Sequence, residues 1–347
     1  MDAALLRERV NAALEKERYV TQLQQETSRD ITLESFADCE AFPVDEQGQL
    51  QCDDMAELEN LKAKLNLFFQ YDSQLAGGRA QRMWPLYLVM AYPFMQGWAL
   101  ADMIIALCLR AWSNRKCGKA TLQYVEYFCG KANLSRAAIE QGFKVVSLDS
   151  SSNPNHNVLE GQGLRLWLLA LTCAMPGALI WVGCPCSSFV VLCRSVTRRC
   201  TENFFMGNET HRCVLEGNVL ADISGMVLLL SYLLQLQDGF EQPQNSVAPE
   251  SACLVAVLSF IQSQRTITYH YLFGGNTLKP LQLWSSQLWM QRMKRAKPPG
   301  SVTDEQLATR GEEGAFTGIH AELHESQHYT LEFGRAVIRY WQQGQDI

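Results

Sequence analysis

The stretch WVGCPCSSF, Trp181 to Phe189, carries two thiols on either side of a proline, behind an apolar run and ahead of two serines. Three chemistries fit these residue types. A cysteine on a rigid proline-led turn, near helix N-terminal amides that lower its pKa, can act as a nucleophile, and Cys186 is the candidate. Cys184 and Cys186 can instead join Cys193, Cys200, His211 and Cys213 around a metal. The irregular spacing lacks the paired C-x2-C knuckles of structural zinc sites, so no metal is expected. Or both thiols are small apolar fillers, the ordinary fate of a lone cysteine.

Two other stretches hold candidate ligand contacts. In YVEYFCGKANL, residues Glu126, Phe128 and Gly130 lie where a strand turns sharply into a helix, and Gly130 suits a positive φ and a close backbone approach. Ala132 and Asn133 interrupt a full G-x-G-x-x-G, and a plain strand-to-helix turn fits equally well. About 20 residues further on, VVSLDS ends in Asp149, where a carboxylate accepts the ribose hydroxyls of an adenosine cofactor; a solvated strand end is the alternative.

The elements that must position these residues follow from periodicity. After Gly118, strand-like LQYVEYF, KVVSLDS and GALIWVGC alternate with helix-like SRAAIEQGF, LRLWLLALTCAM and GNVLADISGMVLLLSYLLQLQ, and ACLVAVLSFIQSQ reads as another helix. That alternation predicts an α/β, Rossmann-like, doubly wound and mostly parallel sheet, whose ligands bind beyond the carboxyl ends of the strands. Residues 1–116 read as an N-terminal helical region, with an amphipathic helix to about Ser28 and a linker near 30–55, and residues 117–347 as the α/β domain. Leu86 to Leu109 is apolar enough to span a bilayer, but Pro93, Gly97 and Asp102 interrupt it, so two buried helices are expected, with membrane association as the alternative.

Composition narrows the function classes. The 347 residues are 47% hydrophobic, which supports a well-buried core, and the net charge of −6 argues against a surface devoted to nucleic acid. Local basic contacts stay open in the loop with Arg194, Arg198, Arg199 and Arg212, and in the run Arg292, Lys294, Arg295 and Lys297. Twelve cysteines without an apolar leader point to a reducing, intracellular compartment, nuclear or cytoplasmic. His320, His324 and His328 recur every four residues and read as surface histidines on one helix face. Lys279 is a cation that can reach a carboxylate or phosphate near the site.

Taken in order, the strand ends resemble the S-adenosylmethionine-dependent methyltransferases, and among them the cytosine-C5 enzymes most closely. The opening acid, then x-Phe-x-Gly, is matched by Glu126, Phe128 and Gly130; the Pro-Cys turn by Pro185 and Cys186; and a downstream strand-end acid by Glu241 in GFEQPQNS. A set of algal and protist proteins with PCSSF, EQP and a late FGxxTxKxxxLW is similar as well, the last present as Phe273 to Trp284. The likeness covers roughly residues 120–340 and implies a class I methyltransferase-like fold binding S-adenosylmethionine. Phe128 would stack on the adenine, Gly130 would approach the methionine part, and Asp149 would hold the ribose. Asn157 would stand where the family has a carboxylate for the adenine amino group, and Pro185 would shape the same pocket. Cys186 would attack C6 of a cytosine while Glu241 meets its N3 side, with DNA or RNA as partner. Only about 40 residues separate Trp284 from the closing SQHYTLEFGRAVIRYW, too few for a DNA-reading domain. No obligate protein partner is implied. The alternative is a methyltransferase fold kept as a binding or interaction module without catalysis.

Overall fold

Strand β1 (Leu122–Tyr127) is removed from solvent along almost its whole length, the state expected of a parallel strand covered on both faces. The computed structural model describes residues 33–39, 41–43, 52, 54–275, 277–297, 308–310, 316–318 and 328–345. Around β1 lies a six-stranded sheet with β2 (Val145–Leu148), β3 (Ala174–Val182), β4 (Gln237–Pro243), β5 (Gln264–Tyr269) and β6 (Pro280–Ser285), in the order β2-β1-β3-β4-β6-β5. Strands β1 to β4 pair in parallel, and β6 runs antiparallel to both β4 and β5. The expected α/β fold with a mostly parallel sheet is present, and the mixed sheet is compatible with a Rossmann-like arrangement. A short hairpin, β7 (Ala308–Arg310) with β8 (Phe316–Gly318), stands apart from it.

Alternation along the strands builds two cores. Val125, Tyr127, Val146, Leu148, Ile180, Val182 and Phe240 point to one face. Tyr124, Val145, Leu179, Trp181, Leu281 and Leu283 point to the other, as the two-residue period of a strand requires. The second face is covered by helices α4 (Asn133–Glu140) and α8 (Leu331–Gln345). The first is covered by α5 (Gly161–Thr172), α6 (Arg212–Leu233) and α7 (Ala252–Phe260), with a further layer of α1 (Met55–Ala76), α2 (Arg79–Ala91) and α3 (Leu100–Lys116) outside them.

That outer layer changes the meaning of the boundary near residue 116. It marks a change from helices to alternating elements, while one hydrophobic core runs across it from Phe36 to Ile261. The segment 86–109 divides between α2 and α3, with a single 3-10 turn at Pro93–Met95, and Asp102 sits exposed at the start of α3. Among the described residues it is α6 instead that is long and apolar enough to cross a membrane, and it is mostly buried in the core. The amphipathic pattern of residues 1–28 lies outside the described residues.

Two strands of the six-stranded sheet escape the sequence pattern. The helix expected over ACLVAVLSFIQSQ stops at Phe260, and Gln264–Tyr269 forms β5. Pro280–Ser285, inside the late motif, is the reversed β6. Both are short, and β6 opens on a proline, which an inner strand tolerates at its first residue.

Polar side chains fix the helical layer. Asp72 in α1 accepts the N–H groups of Ala80 and Gln81 at 3.0 and 3.1 Å and so caps the first turn of α2 across the Gly77-Gly78 bend. Asp222 in α6 accepts Arg79 Nε at 2.9 and 3.0 Å, Arg79 Nη2 at 2.7 Å and Tyr87 Oη at 3.1 Å, while its carbonyl accepts Trp84 Nε1 at 3.2 Å. The charged side chains of this pair are only 14% and 3% exposed. Breaking a buried pair leaves one charge desolvated and alone, so Asp222→Ala should lower the unfolding free energy by about 3 kcal/mol or more in a urea titration. A variant as stable as the parent would show that α2 is held by apolar packing alone.

Candidate active site

From β1 the chain moves outward to β2 and then crosses back over β1 to β3, so the order reverses between β1 and β3. In open parallel sheets that reversal leaves a crevice beyond the carboxyl ends of the two strands, because the connections depart in opposite directions. Phe128 to Gly130 lead out of β1 on one side of it, and Gly183 to Cys186 lead out of β3 on the other.

The β1 turn is built on unusual backbone. Phe128, Gly130 and Ala132 have φ of 58°, 53° and 49°. A left-handed conformation is costly for a bulky residue such as phenylalanine and is found chiefly where the surroundings enforce it, often at functional sites. Two carboxylates enforce it here. Asp149, just beyond β2, accepts Gly130 N–H at 2.9 Å on Oδ2, and Ser151 N–H and Oγ at 2.7 and 2.6 Å on Oδ1. Glu126 accepts both the backbone N–H and the hydroxyl of Ser135 on Oε2, at the start of α4.

These contacts sort the expected cofactor residues. Asp149 is half-buried, and its Oδ2 uses one of two lone-pair sites, which leaves acceptor capacity for one ligand hydroxyl. Glu126 has no solvent-accessible surface, and burial pushes its carboxyl up to about 8 against the hydrogen bonds from Ser135. It shapes the turn from beneath, and direct contact with a cofactor would require that burial to be opened. The ring of Phe128 is half-buried and packs edge-on against Trp167 with centroids 4.6 Å apart. Asn157 is turned to the start of α5, its Nδ2 donating to Glu160 Oε1 at 3.1 Å and its Oδ1 accepting Leu159 N–H at 3.2 Å.

Across the crevice, the CPCSSF turn is tied down by two buried polar side chains that the sequence did not single out for this task. Gln242, next to Glu241 at the end of β4, donates Nε2 to the Cys184 carbonyl and accepts Ser246 Oγ–H at 2.7 Å. Arg199 donates to the Ser188 carbonyl and hydroxyl at 2.8 and 2.9 Å, to the Phe205 carbonyl at 2.6 Å, to Asn218 Oδ1 at 2.7 Å and to the Val214 carbonyl at 3.3 Å. Its guanidinium also lies 3.7 Å from the centroid of the Phe189 ring. The arginine therefore holds the loop together and is not a phosphate contact. Arg212 pairs with Glu216 at 2.6 Å, and Arg194 and Arg198 are exposed. In the later basic run Arg295 donates to Tyr340 Oη at 2.8 Å, while Arg292, Lys294 and Lys297 are exposed.

Pro185 is exposed, Cys184 is buried and Cys186 half-buried. Burial pushes the Cys184 thiol up to about 12, and it packs as an apolar side chain would. Burial also raises the Cys186 thiol; the positive charge of Lys279 lowers it and the carboxylate of Glu241 raises it, so the three groups share one electrostatic site. Glu241 is itself raised by burial, with Lys279 and the Tyr329 hydroxyl acting in the opposite direction. Its Oε2 accepts Tyr329 Oη–H at 2.7 Å, and its buried Oε1 has no hydrogen-bond partner among the described residues.

Tyr329 is the residue that sequence reading missed. It belongs to a segment, His328–Thr330, that lies across the crevice. A Cβ on Gly183 would stand 2.8 Å from Tyr329 Oη, and one on Gly130 would stand 3.1 Å from His328 Nδ1. His328 occupies a bend; His320 and His324 lie outside the described residues. Among the described residues no group of three His, Cys, Asp or Glu side chains converges as a metal site.

The buried Glu126 carries a pH signature. Its ordinary value is 4.5 and burial raises it to about 8 in the folded chain. Between these values the folded state holds a proton that the unfolded state has released, so its contribution to stability falls as pH rises through that window. Denaturant titrations from pH 4.5 to 8 should show this fall, and Glu126→Gln should flatten it; an unchanged slope would mean another group carries it.

No model of a known protein family matches this chain, and no curated protein is similar to it.

Proposed function

We propose that this chain is an S-adenosylmethionine-dependent methyltransferase of the class I type that acts on a pyrimidine-like nucleobase through Cys186. The observation that carries the reading is the convergence of a half-buried thiol after β3, a buried carboxyl at the end of β4 with one oxygen unpartnered among the described residues, and a lysine just before β6, beside a carboxylate-braced glycine turn.

The residues present fit such a cofactor. Asp149 keeps an acceptor site for a ribose hydroxyl, Phe128 offers a half-buried ring, and the Gly130 backbone borders the crevice. When bound, the cofactor supplies an electrophilic methyl group. The chain's own part is to make the ring reactive. Cys186 adds through sulfur to C6, and the electron pair displaced toward N3 is met by the carboxyl of Glu241, which donates its proton or a hydrogen bond there. Burial of Glu241 favours the protonated form needed for that donation, and a neutral Glu241 no longer opposes the Cys186 thiolate. Lys279 then remains as the charge that favours the thiolate. C5, made nucleophilic by that addition, would take the methyl group; the N3 proton then returns to Glu241, the C5 proton passes to solvent, and the C5–H bonding pair re-forms the double bond as Cys186 leaves as thiolate.

The alternative, a binding module without catalysis, draws on one observation: His328 and Tyr329 lie over Gly130 and Gly183, where a ligand would approach. Titration calorimetry with S-adenosylmethionine and S-adenosylhomocysteine separates the cases. Both should bind the wild type, with affinity about 10-fold or more weaker in Asp149→Ala, since a hydrogen bond to a charged group is lost. Binding with no transfer of labelled methyl to cytosine-containing polynucleotide would favour the module, and absence of binding to either compound would overturn both the cofactor and the activity.

A further inference from the structure

Glu241 has two oxygens in different circumstances. Oε2 accepts the Tyr329 hydroxyl at 2.7 Å, and Oε1 is buried without a partner among the described residues. Tyr329 is fixed from several sides. Trp181 Nε1 donates to its oxygen at 3.4 Å, its ring stacks on Phe333 with centroids 5.1 Å apart and planes at 19°, and its carbonyl accepts Asn133 Nδ2 at 2.6 Å. The neighbouring residues are anchored as well. His270 Nε2 lies 3.0 Å from the His328 carbonyl, and Thr330 Oγ1 donates to the Phe273 carbonyl. Gly183 leaves room for the hydroxyl, because any Cβ there would collide with it.

A hydroxyl held this firmly defines where its acceptor must stand. If Glu241 turned its carboxyl away, the half-buried Tyr329 hydroxyl would lose this acceptor, at the cost of a hydrogen bond to a charged group. We propose that Tyr329 is a positioning residue for Glu241: by occupying Oε2 it reserves Oε1 for the ligand and fixes the edge at which a flat ring can meet the carboxyl. The proposal rests on Glu241 being the ring-contacting acid. It ties that acid to the start of α4 through Asn133, so the cofactor side and the ring side of the crevice share one strap.

The groups facing Glu241 are Tyr329 on the strap, Lys279 at the entry to β6, and Cys186 and Cys184 on the loop after β3. Tyr329 and Lys279 favour the charged carboxylate, and burial opposes them. Removing the hydroxyl alone therefore shifts Glu241 toward its neutral form, and at those pH values where it becomes neutral Cys186 meets less negative charge.

Two titrations on the full-length chain without cofactor test this. Infrared difference spectroscopy, with Glu241→Gln identifying the carboxyl band, should show the Glu241 midpoint moving up in Tyr329→Phe. Alkylation by iodoacetamide, read at the Cys186 peptide by mass spectrometry, should be faster in the same variant between the wild-type and variant Glu241 midpoints, where only the variant carries a neutral acid beside the thiol. Asn133→Ala, which loosens the strap and keeps the hydroxyl, should shift both in the same directions by less, and serves if Tyr329→Phe does not fold. A wild-type Glu241 midpoint in the folded variant would overturn the proposal. Failure of the methyltransferase reading would appear in the calorimetry and leave this midpoint untouched.

Discussion

Parallel pairing of β1 with both β2 and β3 is the constraint on which the rest depends. Parallel strands need crossovers, and one strand flanked by two parallel neighbours must send one crossover to each side of the sheet or skip over itself. The ends of β1 and β3 are then left without a helix closing the gap between them, and the chain must turn tightly away on both sides. Left-handed backbone at Phe128, Gly130 and Ala132 is the local consequence on one side, and the proline-led turn after β3 on the other. Neither turn has a regular hydrogen-bond ladder to hold it, so both depend on side chains: Asp149 and Glu126 for the first, Gln242 and Arg199 for the second.

This explains why so many polar groups are buried around the crevice. A strap of α/β loops with apolar support alone would leave backbone amides and carbonyls desolvated, each at a cost comparable to a lost hydrogen bond. Arg199 satisfies three backbone carbonyls as well as Ser188 and Asn218, and Gln242 satisfies one carbonyl and a serine. The outer helices α1 to α3 contribute at a distance: with Asp222 clamped by Arg79 and Tyr87, α6 is pinned, and α6 in turn supplies Asn218 and the Val214 carbonyl to Arg199. The N-terminal region is thus joined to the loop after Cys186 through one helix.

Much of the sheet was legible because its inner strands are short apolar runs bounded by glycine and polar residues, and the strand ends could be read for chemistry before any fold was seen. Asp149 shows what spacing can do: its distance from the glycine turn in sequence reflects one crossover, and the two meet in a hydrogen bond. Lys279 was readable only as a cation in the right part of the chain, and it falls beside Glu241 and Cys186. What stayed hidden depends on tertiary pairing. Strand β6 follows a loop and opens on a proline, and its pattern declares a strand only once β4 and β5 stand on either side. Arg199 looked like any loop arginine, because no spacing rule shows that a loop arginine will turn inward onto carbonyls before and after it in its own loop and the following helix. Tyr329 lies 88 residues from Glu241, and no spacing rule connects them.

On the methyltransferase reading, the site combines two groups with opposite needs. Nucleophilic attack requires Cys186 to lose a proton, and protonation of a ring nitrogen requires Glu241 to keep one, while burial raises both. For the carboxyl that shift is useful, and for the thiol it is adverse. Lys279 pulls in the other direction on both, aiding the thiol at the expense of the acid. On the methyltransferase reading, a ring whose nitrogen accepts the Glu241 proton stabilises the neutral acid, removes the negative charge that opposes the thiolate and leaves Lys279 acting on sulfur alone. The ligand itself would then complete the electrostatics of the nucleophile, so activation of Cys186 would accompany binding and not precede it.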